Sequence, residues 1–169
     1  MAEIEIDDDR IAAVCRALAD HSVDFVVIGG VAARLHETGH ATVDIDICPS
    51  RSESNLDRLA AALRVLGSRL RVEGDPGGIA FDPHPQQLRQ MSTLSLLTMH
   101  GPIDLCFAPA RFVDGYEALL PGRVVVVVSG VGVPVASLTD VVASKRAAGR
   151  RKDIVALPAL EARLRDRRA

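Results

Sequence analysis

The sequence predicts one α+β domain with a mixed sheet of about five to seven strands flanked by helices. Short runs rich in valine, isoleucine and leucine, each of strand length, alternate with segments of helical periodicity. Two pairs of these runs are separated only by a short turn that contains glycine, which predicts hairpins and therefore antiparallel pairing. The chain has 169 residues, of which 48% are hydrophobic, so it can bury one core, and we treat residues 1–169 as one domain.

Periodicity and turn residues place the elements along the chain. In the first half we predict a helix over 8–21, a strand over 25–28, a glycine turn at 29–30, a short helix over 31–36, a strand over 43–48 and a helix over 52–66. In the second half we predict a loop over 74–85, strand hairpins 93–99/103–107 and 124–128/131–135, and helices over 137–148 and 153–165. The region 74–90 is either a mobile flap or a disordered excursion. A basic helical C-terminal segment begins at about residue 137.

Composition excludes several classes of protein. No apolar run approaches the roughly 20 residues of a membrane span, and the acidic start MAEIEIDDDR does not resemble a secretory signal. We therefore expect a cytoplasmic protein with no membrane partner. The three cysteines, Cys15, Cys48 and Cys106, have no CxxC spacing, which argues against a disulfide framework or a cysteine zinc site. We expect them to be reduced and structural.

Three aspartates have the same apolar-x-apolar setting. Asp44 and Asp46 alternate with valine and isoleucine along the strand predicted over 43–48, so both point to one face, and Asp104 repeats the pattern in a later strand. Neighbouring like charges make the ionised state costly unless a cation is bound, and such oxygen ligands suit Mg²⁺. The alternative is a solvated outer face. Against it, these strands carry only aspartate and cysteine on the polar face.

A glycine pair precedes the aspartates. Gly29 and Gly30 stand where a strand gives way to a helix, and their backbone can approach a phosphate closely because no Cβ is present. A plain tight turn is the alternative for this pair alone. The order of glycine turn, short helix and then Asp44-x-Asp46 favours a phosphate-handling site.

This order resembles the DNA polymerase β-like nucleotidyltransferase superfamily. That superfamily has a Gly-Gly or Gly-Ser turn, a helix, Asp-x-Asp on a strand and a third aspartate on a later strand. The stretch GGVAARLHETGHATVDIDICP, the helix SNLDRLAAALRVLG and the ending ASLTDVVASKRAAGRRKDIVALPAL are similar to small bacterial proteins related to the AbiEii and MenT toxin group. The resemblance covers residues 25–160 and implies the nucleotidyltransferase fold.

The resemblance also implies roles for the three aspartates. Asp44 and Asp46 would hold Mg²⁺, or Mn²⁺ in its place, together with the phosphates of a nucleoside triphosphate (NTP). Asp104 would share in metal binding and would orient or deprotonate the acceptor hydroxyl. All three are therefore candidate catalytic residues and metal ligands.

Five further residues are candidates for nucleotide binding by the same resemblance. Gly29 and Gly30 would cradle the β- and γ-phosphates, Thr42 would reach a phosphate with its hydroxyl, and Lys145 would lie against the triphosphate. Relatives commonly carry an arginine two residues before the threonine, where this chain has histidine, and Arg34 could supply the missing charge. The alternative for Arg34 is a solvated helix residue.

The C-terminal segment is strongly basic. From Lys145 onwards nine lysines and arginines face three acidic residues. This tract is either a solvated face or a surface for nucleotide or tRNA, and any RNA contact would rest on phosphates because the chain has no tryptophan and one tyrosine. Asp153 could pair with Arg150 or Lys152 or cap the last helix. The arginines 163, 165, 167 and 168 are expected to be frayed and solvated.

Metal-dependent transfer of a nucleotidyl group from an NTP to a hydroxyl is therefore the function that the sequence predicts. The acceptor could be the 3′ end of tRNA, in which case the protein would be a toxin with a cognate antitoxin, or an antibiotic. A non-catalytic module of the same fold that binds a nucleotide or a protein is the alternative from another class. A haloacid-dehalogenase-like phosphatase is disfavoured because its first aspartate ends a strand, whereas this strand continues to Cys48.

Overall fold

Residues 5–167 are described in the computed structural model, and their strands form one mixed sheet of eight. The strands are β1 (Phe25–Ile28), β2 (Ile45–Pro49), β3 (Arg69–Val72), β4 (Asp75–Ala80), β5 (Thr93–Thr98), β6 (Gly101–Cys106), β7 (Val124–Val128) and β8 (Val131–Val135). Their order is β4-β3-β5-β6-β2-β1-β8-β7. The β2–β6 and β1–β8 pairs are parallel and the others are antiparallel. The α+β prediction is confirmed, with one strand more than the upper end of the predicted range.

Seven α-helices of the described residues 5–167 flank this sheet. They are α1 (Asp8–Asp20), α2 (Gly29–Leu35), α3 (Glu53–Val65), α4 (Pro85–Gln90), α5 (Tyr116–Leu119), α6 (Leu138–Ala148) and α7 (Arg151–Asp166), with a 3₁₀ turn at Leu120–Gly122. Helix α1 packs against β7, β8 and α3, and α6 packs against α2 and α7. Within residues 5–167 no helix is long and apolar enough to cross a lipid bilayer.

The loop predicted over 74–85 is wrong in its first half, because residues 75–80 form the edge strand β4. Strand β4 pairs only with β3, and five of its six residues are exposed, so its sequence lacks the apolar alternation of an inner strand. The Arg69 side chain supports the hairpin by donating to the carbonyl oxygens of Gly77 and Gly78 at 2.6 and 2.9 Å. Proline and glycine are tolerated here because an edge strand leaves one side of its backbone unpaired.

Two predicted boundaries shift at the position where the polar residues gather. The strand predicted over 43–48 begins at Ile45 and ends at Pro49, so Asp44 lies in the bend before the strand. The glycine pair, predicted as a turn, is the first part of α2. The first shift places Asp44 outside β2, and the second places the glycine pair in the first turn of α2.

Strand alternation separates an apolar face from a polar one. Ile45, Ile47, Ile103 and Leu105 have no exposed surface and lie on one face of the central β2–β6 pair. Each contributes roughly 1.5–3 kcal/mol by burial. The intervening residues point to the other face, so the core that fixes the register of these strands also fixes where their polar side chains go.

The C-terminal helices form as the sequence predicts. Ser137 caps α6: its hydroxyl accepts from the backbone N–H of Asp140 at 3.1 Å and donates to the Asp140 carboxylate at 2.7 Å. Gly149 ends α6 with φ +60°, a backbone conformation that glycine adopts without strain. Helix α7 then packs back on α6, and Arg146 pairs with Glu161 at 2.7 Å.

Candidate active site

Two aspartates face each other across the parallel β2–β6 pair. Asp46 of β2 is in register with Asp104 of β6. Neighbouring strands lie about 4.8 Å apart, so two carboxylates at paired positions on one face are close neighbours. Asp104 therefore lies beside Asp46, on the strand next to β2.

The two aspartates lie on the floor of a cleft of about 450 Å³ between the sheet and α6. Strands β1, β2, β5 and β6 supply the floor, and the segment 105–119 and helix α6 supply the walls. Its polar lining residues are Asp46, Thr93, Ser95, Asp104, Cys106, Asp140, Ser144, Lys145, Arg150 and Asp153. The cleft therefore has two aspartates on the sheet side, and two cations together with Asp140 and Asp153 on the helix side.

The pKa of Asp46 is raised from its ordinary value of 3.8 to about 6. Burial is the largest cause, followed by the negative charges of Asp44 and Asp104. The backbone N–H of Gly30, 3.4 Å from Asp46 Oδ2, and the charge of Lys152 act in the opposite direction. Ionised Asp46 is therefore short of positive charge, which is the condition that a bound cation relieves.

Asp104 has an unmet hydrogen-bonding atom. Its Oδ1 is buried and has no hydrogen-bond partner in the described part of the chain. Buried acceptors without a partner are rare in native proteins because they lose the hydration of the unfolded state. A carboxylate oxygen kept in this state beside Asp46 is suited to a cation or to a hydroxyl proton of a ligand.

Asp44 lies beside the start of β2 and has two polar partners of its own. The Thr42 hydroxyl donates to Asp44 Oδ1 at 3.1 Å, and the Arg71 guanidinium lies 3.5 Å from Asp44 Oδ2. Within residues 5–167 no three histidine, cysteine or acidic side chains converge closely enough to form a metal cage. The predicted strand included Asp44, but the structure places Asp44 in the bend before β2. Its charge still acts on Asp46 and raises the pKa of that carboxyl.

The glycine pair makes room for this arrangement. Gly29 has φ +62°, and a Cβ on it would lie 2.7 Å from Asp46 Cγ. A Cβ on Gly30 would lie 2.7 Å from Thr42 Oγ1. Side chains at either position would displace Asp46 or Thr42, so both glycines are needed for packing in the absence of any ligand. Their role in cradling phosphates stays a prediction.

We expect Gly29→Ala to lower the free energy of unfolding by roughly 2–4 kcal/mol, the sum of a left-handed backbone cost and a steric clash. The matched control is Gly39→Ala, which has φ +67° but nothing within 4 Å of the added methyl, and it should lose only about 1–2 kcal/mol. Urea denaturation measures both. Equal losses would contradict the contact between Gly29 and Asp46.

A buried carboxylate holds two cations in place on the helix side of the cleft. Asp153, at the start of α7, has no exposed surface and accepts from Lys145 Nζ at 3.2 Å and from Arg150 Nε at 2.6 Å. Burial opposes ionisation of Asp153, but the hydrogen bonds from Arg150 and Lys145 outweigh it and hold its pKa below the ordinary value. Lys145 is 7% exposed, whereas the Arg150 side chain is 62% exposed. Of the pairings left open for Asp153, the one with Arg150 forms, and Lys145 is its second partner.

Arg34 lies outside this cleft. Its guanidinium donates to the backbone carbonyl of Ile6 and to the carboxylate of Asp8, so it ties α2 to the start of α1. These partners favour a structural role over the nucleotide contact that the resemblance implied. His40, the residue in place of the family arginine, lies in the irregular segment before β2, and its pKa is lowered by burial and by the charges of Lys145 and Lys152.

A histidine at the end of α2 and two arginines near the C-terminus form contacts within the fold. His36 is 2% exposed, and its Nε2 lies 2.7 Å from the carbonyl oxygen of Ala136. The expectation of a frayed basic tail is wrong for Arg163 and Arg167, which contact Glu37 and His36 respectively. Arg168 lies outside the described residues.

The two cysteines beside the aspartates are unsuited to nucleophilic chemistry. Burial raises the pKa of Cys48 to about 12, and burial is also the main cause of the raised pKa of Cys106. Both thiols are therefore protonated near neutral pH, in agreement with the structural role predicted for them.

Sequence reasoning missed the contact of Arg71 with Asp44 and the position of Arg150 in the cleft. Arg71 lies on β3, the first strand of the β3–β4 hairpin, and only this strand of the hairpin resembles a strand in the sequence. No local sequence pattern links Arg71 to Asp44. Arg150 belongs to a basic tract whose members could not be told apart by composition. One signal was available for Arg150, because Arg150 and Asp153 are three residues apart at the start of a predicted helix.

Among the comparisons with known proteins, those with solved structures show the fold of this chain. No protein-family model and no curated protein matches the sequence. Solved structures do match, and those described below are nucleotidyltransferases or a nucleotidyltransferase-like protein. The chain therefore has the nucleotidyltransferase fold, an α+β domain whose mixed sheet is flanked by helices.

Three of these structures cover nearly all of the chain. The lincosamide antibiotic adenylyltransferase LnuA with lincomycin bound has a TM-score of 0.61 at 13% identity, over 94% of this chain and 98% of that one. The antibiotic-resistance factor ANT(2'')-Ia has a TM-score of 0.59 at 16% identity, over 93% and 83%. An antigenic nucleotidyltransferase-like protein from Paracoccidioides brasiliensis has a TM-score of 0.52 at 18% identity, over 93% and 78%.

Proposed function

We propose that this protein transfers a nucleotidyl group from an NTP to a hydroxyl group, with Mg²⁺ or Mn²⁺ as cofactor. The observation that carries the proposal is the paired Asp46 and Asp104 on the cleft floor, one with a raised pKa and one with an unpartnered buried oxygen. The nucleotidyltransferase fold of the chain supports it.

The residues present fit a divalent cation. Mg²⁺ is usually bound through one or two carboxylates together with substrate phosphates, so the absence of a three-residue cage among residues 5–167 agrees with this chemistry. Asp46 and Asp104 would hold the ion, and Asp44 is the third candidate ligand. When bound, Mg²⁺ supplies positive charge that offsets the charge developing on the transferred phosphoryl group.

The helix side of the cleft is suited to the triphosphate. Lys145 and Arg150 present their charges to the cleft while Asp153 fixes both in position. Fixed cations stabilise charge that develops on the leaving phosphates without reorganising during the reaction. Thr42 supports the site by binding Asp44, and its own contact with a phosphate stays a prediction.

The reaction follows from this arrangement. The acceptor hydroxyl oxygen attacks the α-phosphorus as the bond from that phosphorus to the bridging oxygen of the β-phosphate breaks, and pyrophosphate leaves. Asp104 takes the hydroxyl proton on its unpartnered Oδ1. Transfer of this proton away from the attacking oxygen contributes roughly 10²–10⁴-fold to such reactions.

We propose a small molecule as the acceptor. Two structures of the same fold are, by name, an antibiotic adenylyltransferase and an antibiotic-resistance factor, and the first is matched over 98% of its length. The basic tail is a weak candidate for RNA because Arg146, Arg150 and Arg163 already pair with acidic groups of this chain. The tRNA 3′ end of the AbiEii and MenT toxin relatives is the second acceptor to test.

The experiment is label transfer with each of the four α-³²P-labelled NTPs, Mg²⁺, and either total tRNA or a panel of hydroxyl-bearing antibiotics. Wild-type protein should label a small molecule, Asp46→Asn should not, and Asp20→Asn, an exposed residue at the end of α1, should match the wild type. Labelled tRNA would establish the RNA acceptor instead. No label with any NTP and either acceptor class would favour the non-catalytic binding module.

A further inference from the structure

Arg71 approaches the candidate site from the edge of the sheet. It lies on β3, which is joined to the site strands β6 and β2 through β5. Its guanidinium Nη1 is 3.5 Å from Asp44 Oδ2, and the two side chains are 31% and 23% exposed. Asp44 is one partner of Arg71, and this partner links the β3–β4 hairpin to the residue next to β2.

Both carboxylate oxygens of Asp44 are engaged. Oδ1 accepts from Thr42 and Oδ2 faces Arg71. A guanidinium neutralises a carboxylate by the same attraction as a metal cation, and it occupies the space beside the oxygen that a cation would need. Asp44 therefore has a counter-charge at 3.5 Å. Among residues 5–167, by contrast, Asp104 Oδ1 has no hydrogen-bond partner, and burial disfavours ionised Asp46.

The surroundings leave space for Arg71 on release. Arg71 borders a second depression of about 660 Å³ together with Gly74, Ser95 and Leu97. Ser95 also lines the main cleft, so the two hollows adjoin at β5. A guanidinium that leaves Asp44 can remain solvated at this border without being buried unpaired.

We infer that Arg71 is a positioning residue that competes with a divalent cation for Asp44. Arg71 pairs with Asp44 before the cation binds and releases it when the cation binds. This inference rests on the metal-dependent reaction proposed above. Its consequence is that the wild-type protein binds the cation more weakly than its carboxylates alone would allow.

Mn²⁺ binding followed by electron paramagnetic resonance, without nucleotide, tests this competition. Arg71→Met should bind Mn²⁺ about tenfold more tightly than the wild type, since a partly exposed charge-assisted contact is lost. Arg71→Lys, which keeps the charge, should stay within a few-fold of the wild type. The matched control is Arg64→Met, whose guanidinium pairs with Asp82 at 2.7 Å outside both hollows, and it should leave Mn²⁺ affinity unchanged.

A second background separates competition at Asp44 from a general loss of positive charge. In Asp44→Asn protein the competed carboxylate is absent, so Arg71→Met should no longer change Mn²⁺ affinity. Arg71→Gln, which keeps an amide donor, repeats the test if methionine impairs folding. Unchanged or weaker Mn²⁺ binding in both neutral variants would overturn the inference, as would the same gain in the Asp44→Asn background.

The failure of this inference can be told apart from the failure of the proposed function. One possible result is that wild-type protein binds Mn²⁺ and transfers label, and that Asp46→Asn does not bind Mn²⁺. If Arg71→Met then has the same Mn²⁺ affinity as the wild type, only the competition is contradicted. If neither wild type nor Arg71→Met binds Mn²⁺, the competition is contradicted as well. Mn²⁺ binding that survives Asp46→Asn, together with no label transfer, contradicts the proposed site itself.

Discussion

Asp46→Asn is expected to lower kcat for nucleotidyl transfer by about a thousandfold, because losing a metal-binding carboxylate removes several kcal/mol of transition-state stabilisation. The same variant should be at least as stable as the wild type without metal. Burial and two neighbouring carboxylates make ionised Asp46 unfavourable, and asparagine has no charge to bury. The site residue is thus expected to favour activity at the expense of stability.

The stability difference between Asp46→Asn and the wild type is expected to depend on pH. The pKa of Asp46 in the folded protein, about 6, lies above its ordinary value of 3.8. Stability from the protonated form is complete below the ordinary pKa and is lost as the pH rises through the folded value. The stability gain of Asp46→Asn should therefore be small near pH 4 and should reach its maximum above about pH 6.

Urea denaturation in the presence of a chelator, at a series of pH values, measures this gain. Asp20→Asn serves as the control, because its carboxylate is exposed at the end of α1. If the stability gain of Asp46→Asn does not grow between pH 4 and neutral pH, ionisation of Asp46 is not unfavourable in the folded protein, and the prediction is contradicted. Full transfer activity in Asp46→Asn would remove Asp46 from the site.

Asp153→Asn is expected to lower the free energy of unfolding by about 3–5 kcal/mol, since it leaves the buried Lys145 without its counter-charge. Arg150 is more exposed and can be solvated, so it adds less to this cost. The comparison variant is Glu161→Gln, which removes the surface pair with Arg146 and should cost no more than about 1 kcal/mol.

The pH dependence of Asp153 runs in the opposite direction from that of Asp46. The pKa of Asp153 is lowered in the folded protein, so its contribution is present above the ordinary value of 3.8 and is lost as the pH falls through the folded value. The difference between wild type and Asp153→Asn should be constant near neutral pH and should shrink in acid. Thermal unfolding across this range measures it. Adding Lys145→Met to Asp153→Asn should recover much of the loss, and no recovery would contradict the buried pair.

The facing aspartates could be predicted because one physical rule governs them. Strict alternation in β2 and β6 buries Ile45 and Ile103 and must therefore turn Asp46 and Asp104 to the other face. The rule applies only while the strand continues. It does not extend to Asp44, because the backbone bends before β2, and nothing in the alternation Val-Asp-Ile-Asp-Ile marks that bend.

Contacts between distant segments could not be predicted from local patterns. Strand β4 looks like a loop because its pairing is made by the backbone and by Arg69, not by an apolar face. The pairing of Arg71 with Asp44 depends on this hairpin. His36 has no apolar pattern around it that predicts burial, and it is buried because α2 packs against α6 and the chain at Ala136.

The parallel pairing of β2 with β6 also sets the order in which a newly made chain can become active. The floor of the cleft needs β6, and everything between the two strands, namely α3, the β3–β4 hairpin, α4 and β5, must leave the ribosome before the floor can close. The opposite wall comes later still, because Lys145 and Asp153 belong to α6 and α7. A nascent chain therefore carries the aspartates of the floor before it has the cations that face them, and the cleft is complete only after α7 has been made.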